Sequence, residues 1–207
     1  MMLYVTLFSL AFFSRINPEV AMLLPLTALL SWSMTRHMNE CKGSLRLRWL
    51  WFIIIIDLLP LLYFKYTNFG IDVINTLFRE NFPMLDIVLP VGISFFVFKC
   101  ISYIVDVYRN GERGTKNFAH FLLYISFFPQ VMAGPITRFH DFDAQLESRS
   151  FNLDTVAAGL RRFVVGLSKK AILCGALGSV VDAVFALESG VVDARLAWLG
   201  AIAYMLQ

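Results

Sequence analysis

The chain has 207 residues, of which 58% are hydrophobic and only 16% charged, and its mean hydropathy is +0.67. A soluble domain usually carries about 25% charged residues, so the chain has too little polar surface to stay soluble as a monomer and reads as an integral membrane protein. The net charge of +3 is small and its basic residues sit in short clusters between apolar runs, the pattern of charges that flank membrane helices, so no nucleic-acid partner is expected.

In chain order the apolar runs are residues 1–13, 20–34, 49–66, 85–108, 118–136, 171–187 and 196–206. A spanning helix needs about 20 residues, because the hydrocarbon core is about 30 Å thick and each residue rises about 1.5 Å. Runs 49–66, 85–108 and 118–136 meet that length, 20–34 meets it with its flanks, and 171–187 does so despite Asp182. The end runs, 1–13 and 196–206, would rise only roughly 20 and 16 Å. Run 1–13 lacks a basic flank and a small-residue cleavage site, so it does not read as a signal peptide. The last run reads as cut off within an apolar segment. Cys41, Cys100 and Cys174 form no Cys-X-X-Cys pair and lie far apart, which speaks against a disulfide framework and against a zinc site. No metal ligand set is expected.

Loop charge sets the expected orientation. Residues 35–48 hold Arg36, Lys42, Arg46 and Arg48 against Glu40, and 109–117 hold Arg109, Arg113 and Lys116 against Glu112. Residues 67–84 are nearly neutral and 141–154 are acidic. The positive-inside rule then puts 35–48, 109–117 and the N-terminus in the cytoplasm and 141–154 outside. After them comes a segment of another kind. On a wheel of about 100° per residue, Val156, Leu160, Phe163, Val164, Leu167 and Ala171 share one face. Arg161, Arg162, Lys169 and Lys170 share the opposite half. This predicts an amphipathic helix along the membrane surface, its basic side chains toward lipid headgroups; a half-buried helix between spans shows the same pattern.

Few residues carry candidate chemistry. Asp57 lies mid-way along 49–66, where a charge is costly unless paired or wet. Lys99 and Asp106, seven residues apart, form with Gly92 and Tyr103 a narrow polar stripe on 85–108. That stripe can line a tunnel, or it can hold an interhelical ion pair such as Asp57 with Lys99. His37, His120 and His140 each sit alone at a loop or at the end of a run and have no nucleophile beside them in the sequence. In 127–146, FFPQVMAGPITRFHDFDAQL, Pro129 removes a backbone donor and kinks the helix, Gly134-Pro135 breaks it, and Arg138 sits at the water boundary. Irregular backbone at membrane depth is tolerated only inside protein or beside a water-filled cavity, so a re-entrant or cavity-lining element is expected here.

Four blocks, YFKYTNF (63–69), LPVGISFFVFKCISYIVDVYRN (89–110), FFPQVMAGPITR (127–138) and the weaker GLRRFVVGLSKKAIL (159–173), give the chain a resemblance to the membrane-bound O-acyltransferase family, in its bacterial alginate and polysaccharide O-acetylation branch. The resemblance runs from about residue 17 onward. It implies an all-α, polytopic fold of the bacterial inner membrane, with 1–207 forming a single membrane domain that is the first part of a longer acyltransferase. It also implies acetyl transfer from acetyl-coenzyme A or another acyl thioester to a polysaccharide or a periplasmic relay protein, with no bound cofactor and with membrane lipid as surroundings. The motif positions here are Pro129, Gln130, Gly134, Pro135 and Arg138, and the polar lining would be Asp57, Lys99, Tyr103 and Asp106. Lys99 stands where relatives commonly carry Gln. The family's catalytic histidine belongs beyond Gln207, so no catalytic residue is assigned within the chain. A non-enzymatic membrane protein, whether a transporter subunit or an inactive remnant, is the alternative reading.

Overall fold

Apolar runs decide where this chain is helical, and proline, glycine and asparagine decide where each helix stops. The computed structural model describes residues 2–79, 81–110, 114–147, 152–187 and 192–207, and these are helical with no strand among them. They fall into two units, Met1–Ser148 and Arg149–Gln207.

The first unit contains α1 (Met2–Ile16), a short 3-10 turn (Pro18–Val20), α2 (Leu23–Glu40), α3 (Ser44–Leu61), α4 (Thr67–Phe78), α5 (Ile93–Asn110), α6 (Phe118–Ser126) and α7 (Phe139–Glu147). Helix α2 packs on α3, α5 and α6, α3 also packs on α5, and α1 packs on α6. Their shared core includes Phe13, Leu24, Ala28, Ile53, Phe96, Tyr103, Ile104, Phe121 and Tyr124. A π-helical turn, Leu62–Tyr66, joins α3 to α4, so Ser44–Phe78 is one continuous helix of 35 residues with mean hydropathy 1.9.

Two expected helices are not continuous. Residues 85–90 are not helical, the Ile87 amide donates to the Leu85 carbonyl at 3.0 Å, and α5 begins only at Ile93. Pro90 biases the residue before it toward extended backbone, and Gly92 turns the chain at φ +86°. A Cβ at Gly92 would strike the Val131 carbonyl oxygen, so the site admits glycine alone. The run 118–136 is helical only to Ser126. Pro129 explains the stop, since its ring would clash with the carbonyl of Ile125 in a continued helix. Nine residues rise about 14 Å, so α6 does not cross a bilayer as a helix.

The second unit contains α8 (Leu153–Lys169), α9 (Gly175–Phe185) and α10 (Ala194–Leu206). Asn152 caps α8 by accepting from the Asp154 amide at 2.9 Å, and Asp193 caps α10 by accepting from Leu196 at 2.8 Å. Helices α9 and α10 run antiparallel: Val184 lies against Gly200, and the Cys174 thiol donates to the Gln207 carbonyl at 2.8 Å. The amphipathic segment is not a separate helix. Through a π-helical turn, Lys170–Cys174, it continues into α9, giving a 33-residue helix, Leu153–Phe185, of mean hydropathy 1.6. Val156, Leu160, Phe163, Val164 and Leu167 on its apolar face are all exposed. Leu153–Phe185 and Ser44–Phe78 are the two helices among the described residues that are long and apolar enough to cross a membrane.

Candidate functional site

Asp57 and Lys99 are both buried in the first unit, but they do not meet. Asp57, on α3 and 3% exposed, accepts from the Ser31 hydroxyl of α2 at 2.7 and 2.8 Å. That hydroxyl also lies 2.9 Å from the Thr27 carbonyl oxygen. Lys99, on α5 and fully buried, turns toward α6 and the segment after it. Its ammonium donates to the Tyr124 carbonyl and to Gln130 Oε1, both at 3.2 Å, and stands 5.2 Å from the Tyr124 ring centroid. The expected Asp57–Lys99 ion pair is therefore replaced by two separate arrangements, each with neutral partners. Of the other polar candidates, Tyr103 is buried with its ring against Phe121 and Phe139, at 4.5 and 5.1 Å between centroids. Asp106 is half-buried and makes no ion pair among the described residues.

Between α6 and α7 the chain makes a compact turn. Gln130 and Val131 amides donate to the Phe127 carbonyl at 2.9 and 3.0 Å, and the Gly134 amide donates to the Gln130 carbonyl at 3.0 Å. Gly134 adopts φ +75° against the Phe95 ring, and the Gly134-Pro135 peptide is cis. The Tyr124 hydroxyl donates to the Thr137 carbonyl at 2.6 Å, and the Phe128 amide donates to Ser9 Oγ of α1 at 3.3 Å. Pro129, Pro135 and Arg138 are exposed, and Gln130 is half-buried.

The chain then returns along the path it came. Phe139 packs on Tyr103, Phe121 and Tyr124, and His120 Nδ1 lies 2.6 Å from Asp143 Oδ1. Residue 143 thus sits beside the start of α6. Helix α7 folds back along α6, which does not fit the expectation that 109–117 and 141–154 lie on opposite sides. The alternation rule treats an apolar run as a crossing. His37 is 3.9 Å from Glu40 in an exposed i,i+3 pair, and His140 is exposed.

Sequence reading missed Ser31, Thr137 and Asp143, and it gave Gln130 no more than motif membership. Ser31 carried a signal: Thr27, Ser31 and Thr35 recur every four residues along one face of α2, and all three are buried. Elsewhere in the unit a cavity of about 360 Å³ is lined by Arg36, Asn39, Glu40, Gly114 and Lys116. Among the described residues no group of three or more His, Cys, Asp or Glu is placed to hold a metal.

The comparisons with known proteins bear on the same residues. The membrane-bound O-acyltransferase family model matches residues 48–189, which include all four sequence blocks. The probable alginate O-acetylase of Azotobacter vinelandii is 42% identical over 164 residues, covering 77% of this chain and 32% of that protein. That of Pseudomonas aeruginosa is 40% identical over 164 residues, covering 77% and 31%. The peptidoglycan O-acetyltransferase of Helicobacter pylori is 29% identical over 198 residues, covering 83% and 37%. The chain spans about a third of the length of these curated relatives. No solved structure matches it. With the family match covering the buried Asp57 and Lys99, the broken segment and the long helix of the second unit, the chain belongs to the membrane-bound O-acyltransferase family.

Proposed function

We propose that this chain forms part of an O-acyltransferase of the bacterial inner membrane that transfers acetyl groups to a surface or secreted polysaccharide such as alginate. The observation that carries the reading is the 40–43% identity to relatives named as alginate O-acetylases. It is supported by the proline- and glycine-broken turn 127–138, which lies between the apolar α6 and the acidic α7 inside the matched region. Ser44–Phe78 and Leu153–Phe185 serve as membrane crossings, and the basic face of α8 meets lipid headgroups.

In such a transfer a base takes the proton of an acceptor hydroxyl, on a sugar or on a relay protein. The oxygen attacks the carbonyl carbon of an acyl thioester, the C–O bond forms, and the C–S bond breaks as the leaving thiolate takes up a proton. General-base help typically contributes about 10²–10⁴-fold. The resemblance assigns the base to a histidine outside these 207 residues; Asp57, Lys99, Tyr103, Asp106 and the 129–138 motif are scaffold and lining. The donor in this reading is an acyl thioester such as acetyl-coenzyme A. The test is an in-frame chromosomal deletion of the gene, with acetyl content of total surface and secreted polysaccharide read by proton NMR. Loss of the acetyl signal, restored by the native gene, is expected; an unchanged signal would refute the acyltransferase reading.

A further inference from the structure

Lys99 is fully buried among helices with no carboxylate among its partners, a costly placement for a charge. What it does there follows from its chemistry. An ammonium has three donors and no acceptor, so the Gln130 atom that faces it at 3.2 Å is the amide oxygen. Thr137 Oγ1 offers the same oxygen a weaker second donor at 3.5 Å. With Oε1 held toward α5, the Gln130 NH2 group points away from it, and among the described residues it has no hydrogen-bond partner. The backbone of Gln130 is fixed at both ends, through Phe127 and Gly134. Gln130 is half-buried, between the exposed Pro129 and the buried Val131. A half-buried amide with its oxygen anchored and its two N–H groups free is a preorganised donor.

We propose that Gln130 contacts the substrate of the acyl transfer, its side-chain N–H groups meeting the acyl carbonyl oxygen, and that Lys99 is the positioning residue that fixes this orientation. The inference rests on the acyltransferase reading. The carbonyl oxygen is the partner that acyl transfer requires, because negative charge develops there as the hydroxyl attacks. A donor to the hydroxyl oxygen would ease loss of its proton but hold back the lone pair that must attack.

Gln130→Glu separates the two roles of the side chain. It keeps an oxygen for Lys99 and Thr137 and replaces the NH2 group with a second oxygen that donates no hydrogen bond. Chromosomal Gln130→Glu is expected to leave membrane abundance normal and to lower the initial rate of polysaccharide acetylation about 100-fold. A wild-type rate would overturn the proposal and leave Gln130 as no more than an acceptor for Lys99. Should the Glu variant fail to accumulate, Lys99→Met and Lys99→Gln carry the test. Met frees the Gln130 amide to rotate and should lower the rate roughly tenfold or more. Gln supplies an N–H to Oε1 and should recover most of that loss, so equal rates in the two variants at equal abundance would overturn the positioning role. A deletion strain that still acetylates normally refutes the acyltransferase reading itself. Deletion that abolishes acetylation while Gln130→Glu retains it refutes the donor alone.

Discussion

Asp57 depends on a single hydroxyl, and the dependence is one-sided. Ser31 Oγ has the Thr27 carbonyl at 2.9 Å as a second partner, whereas the buried carboxyl has Ser31 alone among the described hydrogen-bonding groups. Removing the hydroxyl therefore strands a buried polar group, and Ser31→Ala should destabilise by about 1–3 kcal/mol. Adding Asp57→Leu removes the stranded group, so the double variant should be more stable than Ser31→Ala alone, as judged by SDS-induced unfolding in detergent micelles. A double variant no more stable than the single would mean that Asp57 draws its compensation from elsewhere. That Asp57 and Lys99 would be buried was legible in the sequence, since each interrupts an apolar run. Their partners were not, because hydropathy does not say which helix stands opposite. Electrostatic intuition paired the two charges, while the fold gave each a neutral acceptor or donor nearer to hand.

Residues 81–90 show how apolar backbone outside a helix finds its hydrogen-bond partners. Asn75 donates to the Phe82 carbonyl at 3.0 Å and accepts from its amide at 2.9 Å. Asn68 does the same for Leu85, at 2.9 and 3.0 Å. Asn17 does so for Val91, at 3.3 and 2.8 Å. Each side-chain amide stands in for the peptide of a missing neighbouring strand. The opposite order of the pairs makes the segment run antiparallel to α4. Backbone left unsatisfied in this way would be costly, so Asn75→Ala should release about 1 kcal/mol of local protection and speed exchange of the Phe82 amide roughly fivefold. Hydrogen-exchange mass spectrometry on the micellar protein would read it; unchanged exchange across 81–85 would show that the asparagine is dispensable. The break after Ser126 was legible because Pro129 and Gly134-Pro135 announce it. The non-helical start of 85–108 was not, because Leu85, Val88 and Leu89 read as apolar whether helical or not, and the meaning of Asn68 and Asn75 appears only once the backbone they bind is known.

At the scale of the first unit, one end gathers most of the charge. Trp32 Nε1 donates to the Thr115 carbonyl at 2.9 Å, and Arg46 Nη2 donates to the Val107 carbonyl at 3.0 Å. Arg36 and Lys116 share the wall of one cavity. The end of α2, the start of α3, the end of α5 and the start of α6 therefore lie together, and the two basic loops fall on one side, as their composition required. By the positive-inside rule that side is expected to be cytoplasmic. Because His120 and Asp143 meet at 2.6 Å, the middle of α7 lies beside the start of α6 at the same end, although the acidic composition of 141–154 had indicated the other side. Arg79 closes a continuous helix that starts at Ser44 and has enough length to reach the far face. Lys116, Asp141 and Arg79 are all exposed, so each can be replaced by cysteine in a chain whose Cys41, Cys100 and Cys174 have been changed to serine. A membrane-impermeant maleimide applied to intact spheroplasts should label Arg79→Cys and spare both Lys116→Cys and Asp141→Cys. Permeabilisation should then expose the latter two together. Labelling of Asp141→Cys while Lys116→Cys stays protected would mean that the 118–147 segment crosses the membrane. The hydrogen-bonded return of α7 along α6 would then not be the arrangement in the bilayer.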